Sequence, residues 1–173
     1  PTNNIKAGEV FIMFNFDFYN PTRILFGKDR VDSIVRYIPT DSTVLITYGG
    51  GSAKRSGLID KVKDVLGDRK VYEFGGIEPN PRYETLLKAV EVVRKEKIDF
   101  VLAVGGGSVI DGTKFITLAA CFDGEASDLL KYGFTGISAD VVGKSIPFGT
   151  VLTLPATGSE MNNAAVISYK DGK

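Results

Sequence analysis

The chain has 173 residues, 43% of them hydrophobic and 24% charged, which matches an ordinary globular domain with enough apolar material for one core. Its 21 basic residues balance 21 acidic ones, so no electrostatic footprint argues for a nucleic acid or a membrane surface as partner. The single cysteine, Cys121, excludes an internal disulfide, and the complete lack of histidine excludes Ser-His and Cys-His nucleophile pairs and any histidine-bearing metal site.

Residues 1–13 differ in character from the rest of the chain, and Met13 ahead of Phe14 reads as a natural start. The first residues are therefore expected to be a non-native extension, and residues 14–173 the domain proper. No basic segment followed by an apolar stretch opens the chain, and no apolar run approaches the ~18 residues of a membrane span. A reducing, cytoplasmic setting is the expectation.

Arg23–Phe26 reads as a short strand closed by Gly27, and Asp29–Tyr37 as a helix with Val31, Ile34, Val35 and the following Ile38 on one face. Val44–Thr47 is an apolar, β-branched run ended by Gly49-Gly50-Gly51, the pattern of a buried parallel strand. Ser56–Leu66 carries a helical apolar stripe, Val71–Phe74 is the next strand, and Gly75–Pro81 is a turn-rich loop. Tyr83–Lys97 is the clearest helix, with Leu86, Ala89, Val90 and Val93 at three- and four-residue spacing. Phe100–Val104 is an apolar strand running into Gly105-Gly106-Gly107-Ser108, and Val109–Ala120 is again helical. Asp123–Gly143 is a surface loop with a short helix, and Val151–Leu154 and Ala165–Tyr169 are strands flanking a turn over Pro155–Asn163. Strands alternating with amphipathic helices predict an α/β layered fold around a mainly parallel sheet.

Three loops follow strands directly: Tyr48–Ser52, Gly75–Pro81 and Gly105–Ser108. In open α/β sheets, ligands bind in the crevice at that edge. The glycines of Gly105–Ser108 allow close backbone approach, and the amides of the next helix favour an anion such as a pyrophosphate. The same glycines would also serve a plain tight turn, and the motif is neither G-x-G-x-x-G nor a P-loop. After Thr47 no acid waits for ribose hydroxyls; Ser52, Lys54 and Arg55 supply donors for a 2′-phosphate, or merely line a solvated turn. Asp111 reads by default as favourable with a helix dipole, and alternatively as a contact to a nicotinamide. Thr153, Thr157, Ser159 and Glu160 bind a ligand or cap a turn, and sequence alone favours the cap. Cys121 reads as a core residue.

Taken in order, Asn20–Lys28 (NPTRILFGK), Val44–Ser52 (VLITYGGGS), Glu73–Pro81 (EFGGIEPNP), Phe100–Lys114 (FVLAVGGGSVIDGTK) and Leu152–Glu160 (LTLPATGSE) resemble the group III, iron-dependent alcohol dehydrogenases. The likeness is to their NADPH-dependent butanol dehydrogenase and broad-range aldehyde reductase branch, and it lapses only across Asp123–Gly143. The resemblance implies a Rossmann-like domain that binds NADP(H), followed by a helical domain in which an Asp and three His hold iron or zinc. That metal would polarise the carbonyl oxygen while NADPH delivers hydride. It places Gly50 and Ser52 at the adenosine 2′-phosphate with Gly51 in the same turn, and Asn80 on the adenosine side. It places Gly105, Gly106, Gly107 and Ser108 at the pyrophosphate and Asp111 near nicotinamide and substrate. Thr153, Leu154 and Thr157 would line the cofactor groove, and Asn162 would face the substrate.

The metal ligands are expected beyond Lys173, so the chain itself holds no metal ligand and no assigned catalytic residue. Its expected partners are the cofactor and an alcohol or aldehyde, in a homo-oligomer. The alternative is a stand-alone nucleotide-binding or assembly module without catalysis. A phosphosugar-binding α/β domain is disfavoured by the motifs in combination.

Overall fold

Two apolar runs form the centre of the sheet. In the computed structural model, which describes residues 19–131 and 137–170, they are strands β1 (Thr43–Tyr48) and β3 (Phe100–Gly106), paired in parallel with Tyr48 opposite Val104. Strand β2 (Lys70–Phe74) pairs with the outer side of β1 and β4 (Phe148–Leu154) with the outer side of β3. All pairings are parallel, and the order is β2-β1-β3-β4. A parallel sheet needs cover on both faces, which is why the central strands read as continuous apolar runs.

Alternation along the strands assigns each side chain to a layer. Val44, Ile46, Tyr48, Leu102 and Val104 face α2 (Leu58–Leu66), whose Ile59, Val62 and Leu66 recur at helical spacing and are fully buried. Leu45, Val101 and Ala103 face the opposite layer, α3 (Tyr83–Glu96) and α4 (Gly107–Ala120). Each fully buried Val, Leu or Ile among them contributes about 1.5–3 kcal/mol. Gly112 sets the spacing of that second layer: a β-carbon there would lie 2.9 Å from Leu86 Cδ2, so α3 and α4 approach closely only because residue 112 is glycine. Two arginines close helix ends. Arg94 donates to the carbonyls of Ala119, Ala120 and Phe122 at the end of α4, and Arg69 to those of Val35, Ile38, Pro39 and Leu66.

The structure departs from the sequence reading at several places. Arg23–Phe26 is not a strand: no neighbour pairs with it among the described residues, and Ile24 and Phe26 are 64% and 93% exposed. The helix expected over Asp29–Tyr37 is a 3-10 helix over Arg30–Tyr37, with Asp29 left-handed at φ 58. Three residues per turn keep Val31 and Ile34 on the face that packs against the α2 layer. The helix expected over Ser56–Leu66 is α2, which starts only at Leu58 after Gly57 with φ 75, and a separate short helix α1 (Ser52–Arg55) precedes it. Ala165–Tyr169 makes a single bridge, Ser168 to Arg82, rather than a strand. Between 123 and 143 the chain forms a 3-10 helix over Ala126–Lys131, with Leu129 buried, and a short helix α5 (Ala139–Val142). The expected extension at residues 1–13 lies outside the described residues, as does the middle of the 123–143 loop. Among the described residues no helix is long and apolar enough to cross a membrane.

Candidate functional site

The strand order reverses between β1 and β3: from β1 the chain adds β2 on one side, then crosses to place β3 on the other. In open α/β sheets the loops leaving two such strands part at the carboxyl edge, and ligands bind in the crevice there. The pairing of Tyr48 with Val104 sets Gly49 and Gly105 abreast there. Both lie under Val109: a β-carbon at Gly105 would come within 2.6 Å of Val109 Cγ2, and one at Gly49 within 3.6 Å. These two glycines therefore serve packing.

The next glycines differ. Gly106 is extended (φ −94, ψ −168) and precedes α4; a β-carbon on it would come no closer than Leu154 Cβ at 3.7 Å, an ordinary contact. One on Gly107 would overlap Thr157 Oγ1. The helix starts at Gly107 rather than Val109, so the turn contributes the unpaired first-turn amides of α4, with no acidic side chain in that turn. Asn80, left-handed at φ 56, donates its backbone N–H to Ser108 Oγ at 3.4 Å and brings the loop after β2 to this turn.

On the β1 side, Gly51 has φ 97, the left-handed region in which glycine costs least. Gly50 has open space: nothing lies within 4 Å of a β-carbon there. Backbone bonds from Gly76 N to Gly49 O (3.1 Å) and Ile77 N to Tyr48 O (3.2 Å) tie the loop after β2 to the loop after β1. Thr47 and Thr113 share a buried hydroxyl hydrogen bond of 2.7 Å that locks the end of β1 to α4. Across the crevice, pairing skips from Leu152 to Leu154 opposite Gly105 and Gly106, leaving Thr153 in an irregularity; Leu154 is 66% exposed.

Asp111 falls in the second turn of α4, one turn further from the helix start than the sequence reading placed it. Both its oxygens are engaged: Oδ1 accepts from Ser159 Oγ (2.6 Å) and Oδ2 from Val166 N (3.1 Å). One turn on, Lys114 Nζ donates to Ser159 Oγ, Asn162 Oδ1 and the Ala164 carbonyl at 3.0, 3.0 and 2.7 Å. Burial pushes the Lys114 ammonium down, against the charges of Asp111 and Glu160 that hold it up. Asn162 also accepts from Ala164 N and donates to Gly158 O, so its amide is occupied in holding its own turn. The pair therefore fastens residues 158–166 onto α4, and that fastening keeps Thr157 against Gly107. The only sequence signal for it was the i, i+3 spacing of Asp111 and Lys114, which sets both on one helix face.

The twelve cofactor-binding residues expected from the sequence thus fall along one edge: Gly50, Gly51 and Ser52 where β1 turns into α1, Asn80 in the loop after β2, Gly105 and Gly106 at the end of β3, Gly107, Ser108 and Asp111 in the first two turns of α4, Thr153 and Leu154 at the end of β4, and Thr157 just beyond it. Among the described residues the donor set does not fit a metal ion. The chain has no histidine, and among the described residues no group of three or more His, Cys, Asp or Glu is placed to hold one.

The chain belongs to the iron-containing alcohol dehydrogenase family, whose model matches residues 21–173. It is similar to the NADPH-dependent aldehyde reductase YqhD of Escherichia coli (strain K12), with 53% identity over 158 residues, covering 91% of this chain and 40% of that protein. It is also similar to the NADH-dependent butanol dehydrogenase A of Clostridium acetobutylicum, 43% identical over 159 residues, covering 90% of this chain and 39% of that one. The crystal structure of YqhD from E. coli K-12 superposes with a TM-score of 0.82 at 54% identity, over 90% of this chain and 39% of that one. That of the NADH-dependent butanol dehydrogenase A of Thermotoga maritima gives 0.79 at 39% identity, over 90% and 38%. The chain spans about 40% of the length of the curated relatives it matches.

Proposed function

We propose that residues 14–173 form the NADP(H)-binding domain of an oxidoreductase that interconverts alcohols and aldehydes. The observation that carries this reading is the reversal of strand order between β1 and β3, the two strands that run into Gly49–Gly51 and Gly105–Gly107. When bound, the nicotinamide ring supplies or accepts the hydride exchanged with the carbonyl carbon. The chain's own part is to bind and orient. On this reading Gly106, Gly107 and Ser108 present backbone amides to the diphosphate, and Gly50, Gly51 and Ser52 receive the adenosine 2′-phosphate, with Asn80 beside them. Thr153, Leu154 and Thr157 form the opposite wall, and Asp111 holds residues 158–166 in place. The substrate class rests on the aldehyde reductase and butanol dehydrogenases among the relatives. Because those relatives include both NADPH- and NADH-dependent enzymes, the preference for NADP(H) rests on the loop after β1, which carries no acid to repel a phosphate. We assign turnover and metal binding to a whole enzyme of the relatives' length, acting as a homo-oligomer in the cytoplasm.

Titration of the purified chain with NADPH and NADH tests the reading. NADPH is expected to bind more tightly, by about tenfold to a hundredfold for one charge-assisted hydrogen bond of roughly 1.5–3 kcal/mol. Gly50→Asp is expected to erase the preference, and the open space at Gly50 means that this substitution probes the ligand rather than the fold. Equal affinities in the unmodified chain would overturn the NADP(H) assignment, and binding of neither would overturn the dinucleotide site.

A further inference from the structure

At the carboxyl edge of β1 and β2, beside the Gly50–Ser52 turn, one carboxylate serves two lysines. Glu73 of β2 accepts Lys63 Nζ on Oε1 at 2.7 Å, while its Oε2 is shared by Lys54 Nζ at 3.3 Å and the Tyr48 hydroxyl at 3.2 Å. Lys54 stands two residues after Ser52 in α1, and Lys63 comes from α2. The Tyr48 ring beneath them is fixed in place, since it occupies the space that a β-carbon on Gly75 would need. Arg55 Nη1 donates to the Gly50 carbonyl at 3.5 Å. Lys54, Lys63 and Arg55 thus gather at this corner around Glu73, and Asp60 acts on Lys63 without a hydrogen bond to it.

The two sides of Glu73 are unequal. Lys63 has an oxygen to itself at short distance, and its hydrogen bond is the main cause holding the Glu73 carboxyl below its ordinary range. Lys54 has the longer, shared contact, and its side chain is 57% exposed. If Lys54 leaves, Glu73 keeps a cation and a hydroxyl donor; if Lys63 leaves, it keeps only the longer, shared contacts.

We infer that Glu73 and Lys63 set the selectivity between NADP(H) and NAD(H) by controlling Lys54, the cation that moves from Glu73 to the 2′-phosphate. This rests on the dinucleotide reading above. Glu73 competes with the phosphate for Lys54, and Lys63 weakens that competition by neutralising Glu73. NAD(H) lacks the phosphate, so Lys54 stays on Glu73 and the affinity for NAD(H) is indifferent to all three residues.

The test is the ratio of NADPH to NADH affinity in three variants of the full chain. Lys54→Met should lower it about tenfold, the loss of one exposed charge-assisted contact. Glu73→Gln, which keeps the side-chain shape, should raise it by roughly fivefold, and Lys63→Met should lower it by a similar factor. A purely structural role would change both affinities together and leave the ratio alone. Shifts of the same sign in Lys54→Met and Glu73→Gln, or an unmoved ratio, overturn the inference while continued binding of both cofactors leaves the dinucleotide site standing. An unmodified chain that binds neither cofactor overturns both.

Discussion

Gly106 and Gly107 are neighbours in the chain with different surroundings, and substitutions at the two are expected to separate ligand binding from folding. A side chain on Gly106 has room within the protein, so Gly106→Val is expected to keep the fold and weaken NADPH binding by about tenfold or more, by blocking backbone approach. Gly107→Val instead drives into Thr157 and is expected to cost about 1–3 kcal/mol of stability, as overpacking does. Thermal melts and NADPH titrations of the two variants check this; unchanged affinity in Gly106→Val would put the phosphates elsewhere. Glu73 makes a separate prediction for pH. Its carboxyl is lowered in the fold, first by the Lys63 hydrogen bond and then, against the opposing effect of burial, by Lys54. Its contribution is therefore present above the ordinary glutamate value, about 4.3, and fades as pH falls through the lower folded value. Glu73→Gln should melt below the unmodified chain at neutral pH, and the gap should close in acid.

At the scale of elements, α4 has two roles. Its start carries the first-turn amides assigned above to the diphosphate under the proposed function, and its second and third turns, through Asp111 and Lys114, hold down residues 158–166. Lys114→Met removes the three ammonium hydrogen bonds but keeps the aliphatic stem, so the expected loss of stability is small, about 1–2 kcal/mol. The larger expected effect is local: amide exchange should speed up across residues 158–166 while the core of α4 stays protected. Uniformly faster exchange throughout would mean that Lys114 supports the whole fold rather than this segment. The expected strand at Arg23–Phe26 belongs to this scale too. Its apolar pattern is real, but a strand exists only where a second one pairs with it, and none does among the described residues.

For the molecule as a whole, a ligand that binds only the folded chain must stabilise it. At a hundred times its dissociation constant, NADPH should add about 2.7 kcal/mol, which for a domain of this size raises Tm by about 5–10 °C. A melt with and without NADPH measures this, and no shift at saturating concentration would contradict a site on the folded domain. The same preparation is expected to hold neither iron nor zinc in stoichiometric amount after dialysis, and to show no butanal-dependent NADPH oxidation. The reason is the lack of histidine and of any acidic cluster placed to hold a metal among the described residues. Stoichiometric metal with turnover would show that this span carries chemistry assigned above to the whole enzyme.

The sequence by itself determined the two central strands, the clearest helix and the glycine turns that end the strands. The runs at Val44–Thr47 and Phe100–Val104, each ended by glycines, and the stripe Leu86, Ala89, Val90, Val93 encode strand and helix through spacing over a few residues, and the structure keeps all three. The motifs behind the proposed site were legible for the same reason, because a strand followed by glycines and a helix has one edge on which a ligand can be proposed to lie. Only the tertiary structure decided which strands are neighbours, and with that the position of the crevice between β1 and β3. It also decided that Gly105 packs under Val109 while Gly106 stays open, that Asp111 and Lys114 reach residues 159–166, and that Glu73 lies between Lys54 and Lys63. Most of these contacts join residues far apart in the chain, on different elements, and even the short step from Gly105 to Val109 spans a strand-to-helix turn. A hydrophobic period records which face a residue occupies, not what lies across from it, so such partners are fixed only when the layers close.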